Sequence, residues 1–145
     1  MIKTVLVVCI GNICRSPMAE GLLKQALPET NVISAGLGAL VGQPADPHAV
    51  ELMRDHGVDI SGHRAQRVSG AMTMRPDLIL VMDNEQRQEI QRLYPFTTGR
   101  IFRLGEPGKF DVPDPYREAR RAFENALQLI QRGVESWVPR IQALR

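Results

Sequence analysis

Apolar and polar positions fall in blocks that alternate between two periods along the chain. Residues 4–9 (Thr-Val-Leu-Val-Val-Cys) form an unbroken, β-branched run, the pattern of a strand covered on both faces. Residues 11–15 read as a turn. Ser16-Pro17 then opens a helix reaching about Leu27, with Ser16 as N-cap and Pro17 at the first helical position. A short strand is expected at 31–35 and a glycine-rich loop at 36–43. Asp46-Pro47 starts a second helix to about His56, ended by Gly57. Residues 58–68 are irregular. Pro76 precedes another apolar strand at 77–82, followed by a helix at 84–93 and a fourth short strand at 100–104. Residues 105–116 form a long loop holding Pro107, Gly108, Pro113 and Pro115. The last helix, 117–137, carries Phe123, Leu127, Ile130 and Val134 on one face, with Trp137 in the core.

Strands alternating with helices predict an α/β fold: a doubly wound, four-stranded, mainly parallel sheet with helices on both faces. Ligands of such sheets sit beyond the carboxyl ends of the strands. The loop after the first strand is therefore the leading candidate site.

Composition narrows the field. The 145 residues are 43% apolar and 23% charged, which suits one globular domain spanning residues 1–145. No stretch approaches the 18 apolar residues that suggest a membrane span. The run ending at Cys9 is too short for a secretory signal, so a cytoplasmic protein without membrane insertion is expected. Net charge is only +2, with arginines scattered along the chain, which argues against nucleic-acid binding. The two cysteines, Cys9 and Cys14, have no further cysteine or nearby histidine to complete a zinc site. No metal and no cofactor are expected. His48, His56 and His63 follow no ligand spacing and read as helix surface or capping residues.

The chemistry concentrates in Cys9-Ile10-Gly11-Asn12-Ile13-Cys14-Arg15-Ser16-Pro17. Amides of such a strand-to-helix loop can curl round an anion, and the helix N-terminus adds positive potential. Gly11 permits a positive φ or a close backbone approach. Arg15 supplies a planar fork for two phosphoryl oxygens. A thiol beside arginine at a helix start is held as thiolate, and the Ser16 hydroxyl can donate to it. The result is a nucleophile at the bottom of an anion cradle. A proton donor for a leaving group is sought in the loop before the last helix, which holds Asp111 and Asp114. Asp114, stiffened by Pro113 and Pro115, is favoured, with Asp111 in reserve.

The loop resembles that of the low-molecular-weight protein tyrosine phosphatases, whose N-terminal signature is strand, C-x-x-x-x-x-R-S, helix. Ser34-Ala35-Gly36, residues 77–82 and Asp114-Pro115-Tyr116 continue the resemblance in the same order. Gly36-Leu37-Gly38-Ala39-Leu40-Val41-Gly42 resembles the bacterial branch linked to capsule and exopolysaccharide production.

The resemblance implies a protein-tyrosine phosphatase working through a phosphocysteine intermediate. Cys9, Arg15 and Asp114 would be catalytic, with Asp114 the acid of the Asp-Pro-Tyr motif. Ile10, Gly11, Asn12, Ile13, Cys14, Ser16, Leu40 and Tyr116 would bind substrate. Asn12 matches the family's loop-bracing asparagine; Asn also tolerates the left-handed turn conformation. Cys14 is either a small packing residue or, as the family implies, a partner for a reversible disulfide with Cys9. Tyr116 would form one wall of the cleft, and Leu40 stands where many eukaryotic relatives have an aromatic residue. Arg117, Arg120 and Arg121, whose positive charge opposes the dipole of the last helix, read either as a solvated face or as a cleft mouth that attracts acidic phosphopeptides, the solvated face being favoured. The expected partner is a phosphotyrosine protein, by analogy a bacterial tyrosine autokinase of polysaccharide export, and the expected state is a monomer.

Two rivals stay open. An arsenate reductase of this fold would use the same loop but needs downstream cysteines, and none follows Cys14. A non-catalytic phosphoprotein-binding module would not need both a nucleophile and an acid.

Overall fold

The computed structural model describes residues 2–144. A four-stranded parallel sheet forms from β1 (Thr4–Cys9), β2 (Asn31–Gly36), β3 (Leu78–Val81) and β4 (Ile101–Arg103), in the order β2-β1-β3-β4. The helices are α1 (Arg15–Ala26), α2 (Pro47–Asp55), α3 (Gly70–Met74), α4 (Asn84–Leu93) and α5 (Arg120–Ala143), with one 3-10 turn at Pro95–Thr97.

The uninterrupted apolar run of β1 is explained by what covers it. Val5, Val7 and Cys9 face a core shared with Met18 and Leu23 of α1, Met53 of α2, and Phe123 and Trp137 of α5. Leu6 and Val8 face a second core with Ile79, Val81, Ile90 and Ile101. Successive strand residues point to opposite faces, so a strand sandwiched between two layers has no place for a polar side chain. Burying each such side chain is worth about 1.5–3 kcal/mol relative to exposure.

The chain winds from β1 out to β2, then returns past β1 to β3 and β4. The loops that follow β1 and β3 therefore part company at the upper edge, where the winding reverses. This is the crevice position for ligands in such sheets.

The structure departs from the sequence reading at three helices and at the loop after β1, and the expected strands at 77–82 and 100–104 are each a residue shorter at both ends. Helix α1 begins at Arg15, with Cys14 as an N-cap that makes no side-chain bond; Ser16 lies inside the helix because its hydroxyl is engaged elsewhere. Gly11 does not take a positive φ, and a Cβ there would meet only an ordinary contact. Asn12 takes the left-handed conformation instead, at φ 57°. The short helix α3 was not expected; Ser69 caps it by accepting from the Met72 amide. Helix α5 starts three residues late and runs on past Pro139. Proline frees the carbonyl four residues earlier, here that of exposed Glu135, while buried Ile141 holds the following turn.

Two contacts seat the upper edge. A Cβ on Gly36 would come within 2.3 Å of the Ile10 carbonyl oxygen, so glycine lets the end of β2 pass directly under the loop. The Trp137 indole N–H donates to the Leu104 carbonyl at 2.9 Å, fixing α5 against the start of the long loop that follows β4.

Candidate active site

The loop between β1 and α1 is organised by where its carbonyls go. Those of Cys9, Ile10 and Gly11 accept from the amides of Leu37, Gly38 and Leu40 at 2.9, 3.0 and 3.1 Å. The Asn12 carbonyl accepts from His63 Nε2 at 2.6 Å. Those of Ile13 and Cys14 accept from the amides of Asp46 and Met18 at 2.8 and 3.3 Å. All six are tied outward. Among the described residues, the amides of Ile10, Gly11, Ile13, Cys14, Arg15 and Ser16 donate to no acceptor. A loop with every acceptor used and a set of donors free is a binding site for an anion.

Cys9 closes the floor. Its Sγ lies 2.9 Å from Ser16 Oγ and accepts from the Asn12 amide at 3.3 Å. A network behind the loop fixes the direction of the serine proton. Asn12 Nδ2 donates to Ser16 Oγ at 2.7 Å and to Ser34 Oγ at 3.0 Å, and Asn12 Oδ1 accepts from the Gln66 amide at 2.9 Å. Ser34 in turn donates to Glu20, which pairs with Lys24 at 2.6 Å. Because Asn12 already donates to the Ser16 oxygen, the Ser16 hydroxyl proton is left for the sulfur.

Arg15 is 3% exposed, and a buried guanidinium needs partners. Its Nη1 donates to the Val112 carbonyl at 2.9 Å and lies 3.5 Å from Asp83 Oδ2, and its Nη2 lies 3.6 Å from Asp114 Oδ2. Val112 explains how a distant loop is brought here: buried itself, it also donates its amide to the Met82 carbonyl at 2.9 Å. Asp114 follows two residues later, and its Oδ1 accepts from the Tyr116 amide at 3.1 Å.

Cys9, Ile10, Gly11, Ile13, Cys14, Arg15, Leu40, Asp114 and Tyr116, together with Gly38, line one cleft of about 110 Å³. Asn12 and Ser16 are fully buried behind it. Asp111 lies elsewhere, in an ion pair with Arg103 at 3.0 Å, so the two acid candidates separate. Burial pushes the Cys14 thiol up, and the charges of Asp46, Cys9 and Asp114 push it further, while Arg15 pulls it down. Both cysteines are free.

Sequence reasoning missed five residues that touch this machinery: Glu20, Ser34, His63, Gln66 and Asp83. In sequence His63 reads as a surface or capping residue, but it holds the outward turn of Asn12. Asp83 caps α4 by accepting from the Gln86 amide at 2.8 Å, and its other oxygen faces Arg15. Among the described residues no group of His, Cys, Asp and Glu is arranged to hold a metal ion, and no helix is long and apolar enough to cross a membrane.

The sequence profile of one family, described as low molecular weight phosphotyrosine protein phosphatase, matches residues 4–145. The chain is 65% identical over 144 residues to a probable low molecular weight protein-tyrosine-phosphatase, EpsP, of Ralstonia nicotianae, covering 99% of each. Wzb of Vibrio vulnificus in complex with benzylphosphonate superposes with a TM-score of 0.93 at 37% identity, covering 97% of this chain and 99% of that one. The tyrosine phosphatase Wzb of Escherichia coli K30 in complex with sulphate gives 0.93 at 36% identity with the same coverage.

Proposed function

This chain belongs to the low molecular weight phosphotyrosine protein phosphatases, and from that premise we propose how its own residues remove phosphate from phosphotyrosine. It is a protein-tyrosine phosphatase; the roles assigned below are our reading. The observation that carries them is the loop whose six carbonyls are tied away while six amides stay free around Cys9.

The phosphoryl group sits in the loop with its non-bridging oxygens on the free amides and Arg15. Cys9 Sγ, as thiolate, attacks phosphorus in line. The bond from phosphorus to the phenolic oxygen breaks, and Asp114 gives its proton to that oxygen. Tyrosine, whose phenol has a pKa of about 10, is a poor leaving group without such a donor. The Asp114 carboxylate then takes a proton from water as the water oxygen attacks phosphorus and the P–S bond breaks. Inorganic phosphate leaves and the thiolate is restored. The donors around the phosphoryl oxygens stabilise the charge spread over them at the transition state.

Asp83 and Val112 position Arg15, while Asn12, backed by Ser34 and Glu20, aims the Ser16 proton at the sulfur. Ile10, Leu40 and Tyr116 form apolar walls suited to an aromatic ring. We further read the substrate as a bacterial tyrosine autokinase of polysaccharide export, met in the cytoplasm by a one-domain, monomeric enzyme working without cofactor. The glycine-rich 36–42 loop and the similarity to EpsP and Wzb support that reading.

The test compares turnover of a phosphotyrosine peptide with that of a phosphoserine peptide of the same sequence, without added metal. Tyrosine-specific turnover is expected, because a shorter side chain does not carry its phosphate to the sulfur between these walls. Equal turnover of both would contradict the assigned walls.

A further inference from the structure

The sequence groups Arg117, Arg120 and Arg121 as one basic face, but the structure separates them. Arg120 is consumed: it pairs with Glu51, with Asp55 at 3.2 Å and with Glu124 at 3.4 Å. Arg117 pairs with no carboxylate among the described residues. Its guanidinium carbon lies 5.2 Å from the ring centroid of Tyr116, and that ring is a wall of the catalytic cleft. Stacking on the aromatic face leaves the guanidinium edge and its N–H donors free.

The backbone points the same way. The Glu118 amide donates to the Pro115 carbonyl at 2.9 Å, closing a turn in which Arg117 is the third residue at φ 65°. That position calls for glycine, and a left-handed conformation costs an L-residue roughly 1–2 kcal/mol. Helix α5 does not explain the charge either, because positive groups at a helix start oppose its dipole. An arginine kept where both turn and helix disfavour it is a candidate for function.

The surroundings define its ligand. A hollow that shares Ile10, Arg15 and Asp114 with the cleft is lined by Asp83, Glu85 and Glu89. An anion beside the phosphotyrosine is repelled there and is drawn to Arg117. We propose that Arg117 is a specificity residue that binds an anionic group on the residue next to the phosphotyrosine, either an acidic side chain or a second phosphotyrosine. This inference rests on the phosphatase reading of the cleft.

The test uses the full chain and four phosphotyrosine peptides: one with neutral flanks, one with Glu before, one with Glu after, and one with a second phosphotyrosine adjacent. For the wild type, kcat/KM is expected to rise about threefold to fivefold for an anion on one side of the phosphotyrosine, the range of an exposed charge pair. The rise should appear mainly in KM. In Arg117→Gly, which suits the turn, the ratio of anionic to neutral peptide should fall to about one. In Arg117→Lys, part of it should return. Comparing the Glu peptides with the doubly phosphorylated one separates the two anion sources. A wild-type ratio near one, or a ratio unchanged in Arg117→Gly, overturns the proposal while leaving the phosphatase reading intact. No turnover of any peptide overturns both.

Discussion

The two ends of β1 solve one electrostatic problem in different ways. At the lower end, Asp77 Oδ2 accepts from the amides of Lys3 and Thr4 at 2.7 and 3.0 Å. These bonds hold its carboxyl below the ordinary carboxylate range, the Lys3 amide first among the causes. At the upper end, a sulfur accepts from the Asn12 amide and lies against the Ser16 hydroxyl. The lower arrangement is closed: anion and donors belong to the chain and satisfy each other. The upper one is open, because more amides converge than Cys9 can use. Unsatisfied buried donors cost about 1–3 kcal/mol each. The loop keeps this geometry because its carbonyls and the Asn12 side chain are fully engaged behind it. Closing such a cluster stabilises the fold, and leaving it open keeps donors available for a second anion.

The contrast can be broken in order of expected effect. Cys9→Ser should lower turnover of a phosphotyrosine peptide by about 10⁴-fold or more, while calorimetry still detects inorganic phosphate binding. Loss of phosphate binding as well would mean that the donors do not form a cradle without the sulfur.

Asp114→Asn should slow tyrosine-like leaving groups by about 10²–10⁴-fold and slow an activated aryl phosphate much less. Similar slowing of both would remove Asp114 from the acid role. Asp111→Asn should leave both rates near wild type, since Asp111 is held by Arg103.

Asn12→Ala removes the bonds to Ser16, Ser34 and the Gln66 amide and leaves a residue poorly suited to φ 57°. A loss of about 1–3 kcal/mol in urea unfolding is expected, with activity reduced about 100-fold through the misplaced loop. Full activity at reduced stability would make the network purely structural.

The smallest effect lies at the closed end. The folded Asp77 carboxyl sits below its unfolded value of about 3.9. Its contribution is therefore full above about pH 5 and is lost as pH falls through the folded value. Asp77 is exposed, so solvent screening keeps the effect below about 1 kcal/mol. The stability gap between wild type and Asp77→Asn should hold steady from pH 8 to 5 and narrow below pH 4. A gap that widens on acidification would reverse the assigned sign.

The cradle is contiguous, so strand, loop, arginine and helix start are visible together. The parallel sheet and the two-faced burial of β1 follow from apolar runs and turn residues, whereas the strand order β2-β1-β3-β4 is seen only in the structure. Ser34, Glu20, His63 and Gln66 are ordinary polar residues until the parallel pairing of β1 and β2 and the 58–66 loop bring them behind Asn12. Asp83 is hidden because capping α4 is a sufficient reason for an Asp at that place. Ser16-Pro17 predicts the start of helix α1 because serine is a good cap, yet the helix begins at Arg15. The sulfur competes for that hydroxyl and leaves the first helical amides without a side-chain acceptor, as an anion site requires.

Carboxymethylation by iodoacetate at neutral pH, with and without inorganic phosphate and followed by mass spectrometry of both cysteines, tests the central claim most directly. Labelling should be confined to Cys9, at the floor of the loop, and suppressed by inorganic phosphate, which occupies the same donors. Cys14, with its thiol pushed up by burial and neighbouring charge, should stay unmodified. Labelling of Cys9 that phosphate does not slow, or equal labelling of Cys14, would contradict a sulfur seated in an anion cradle.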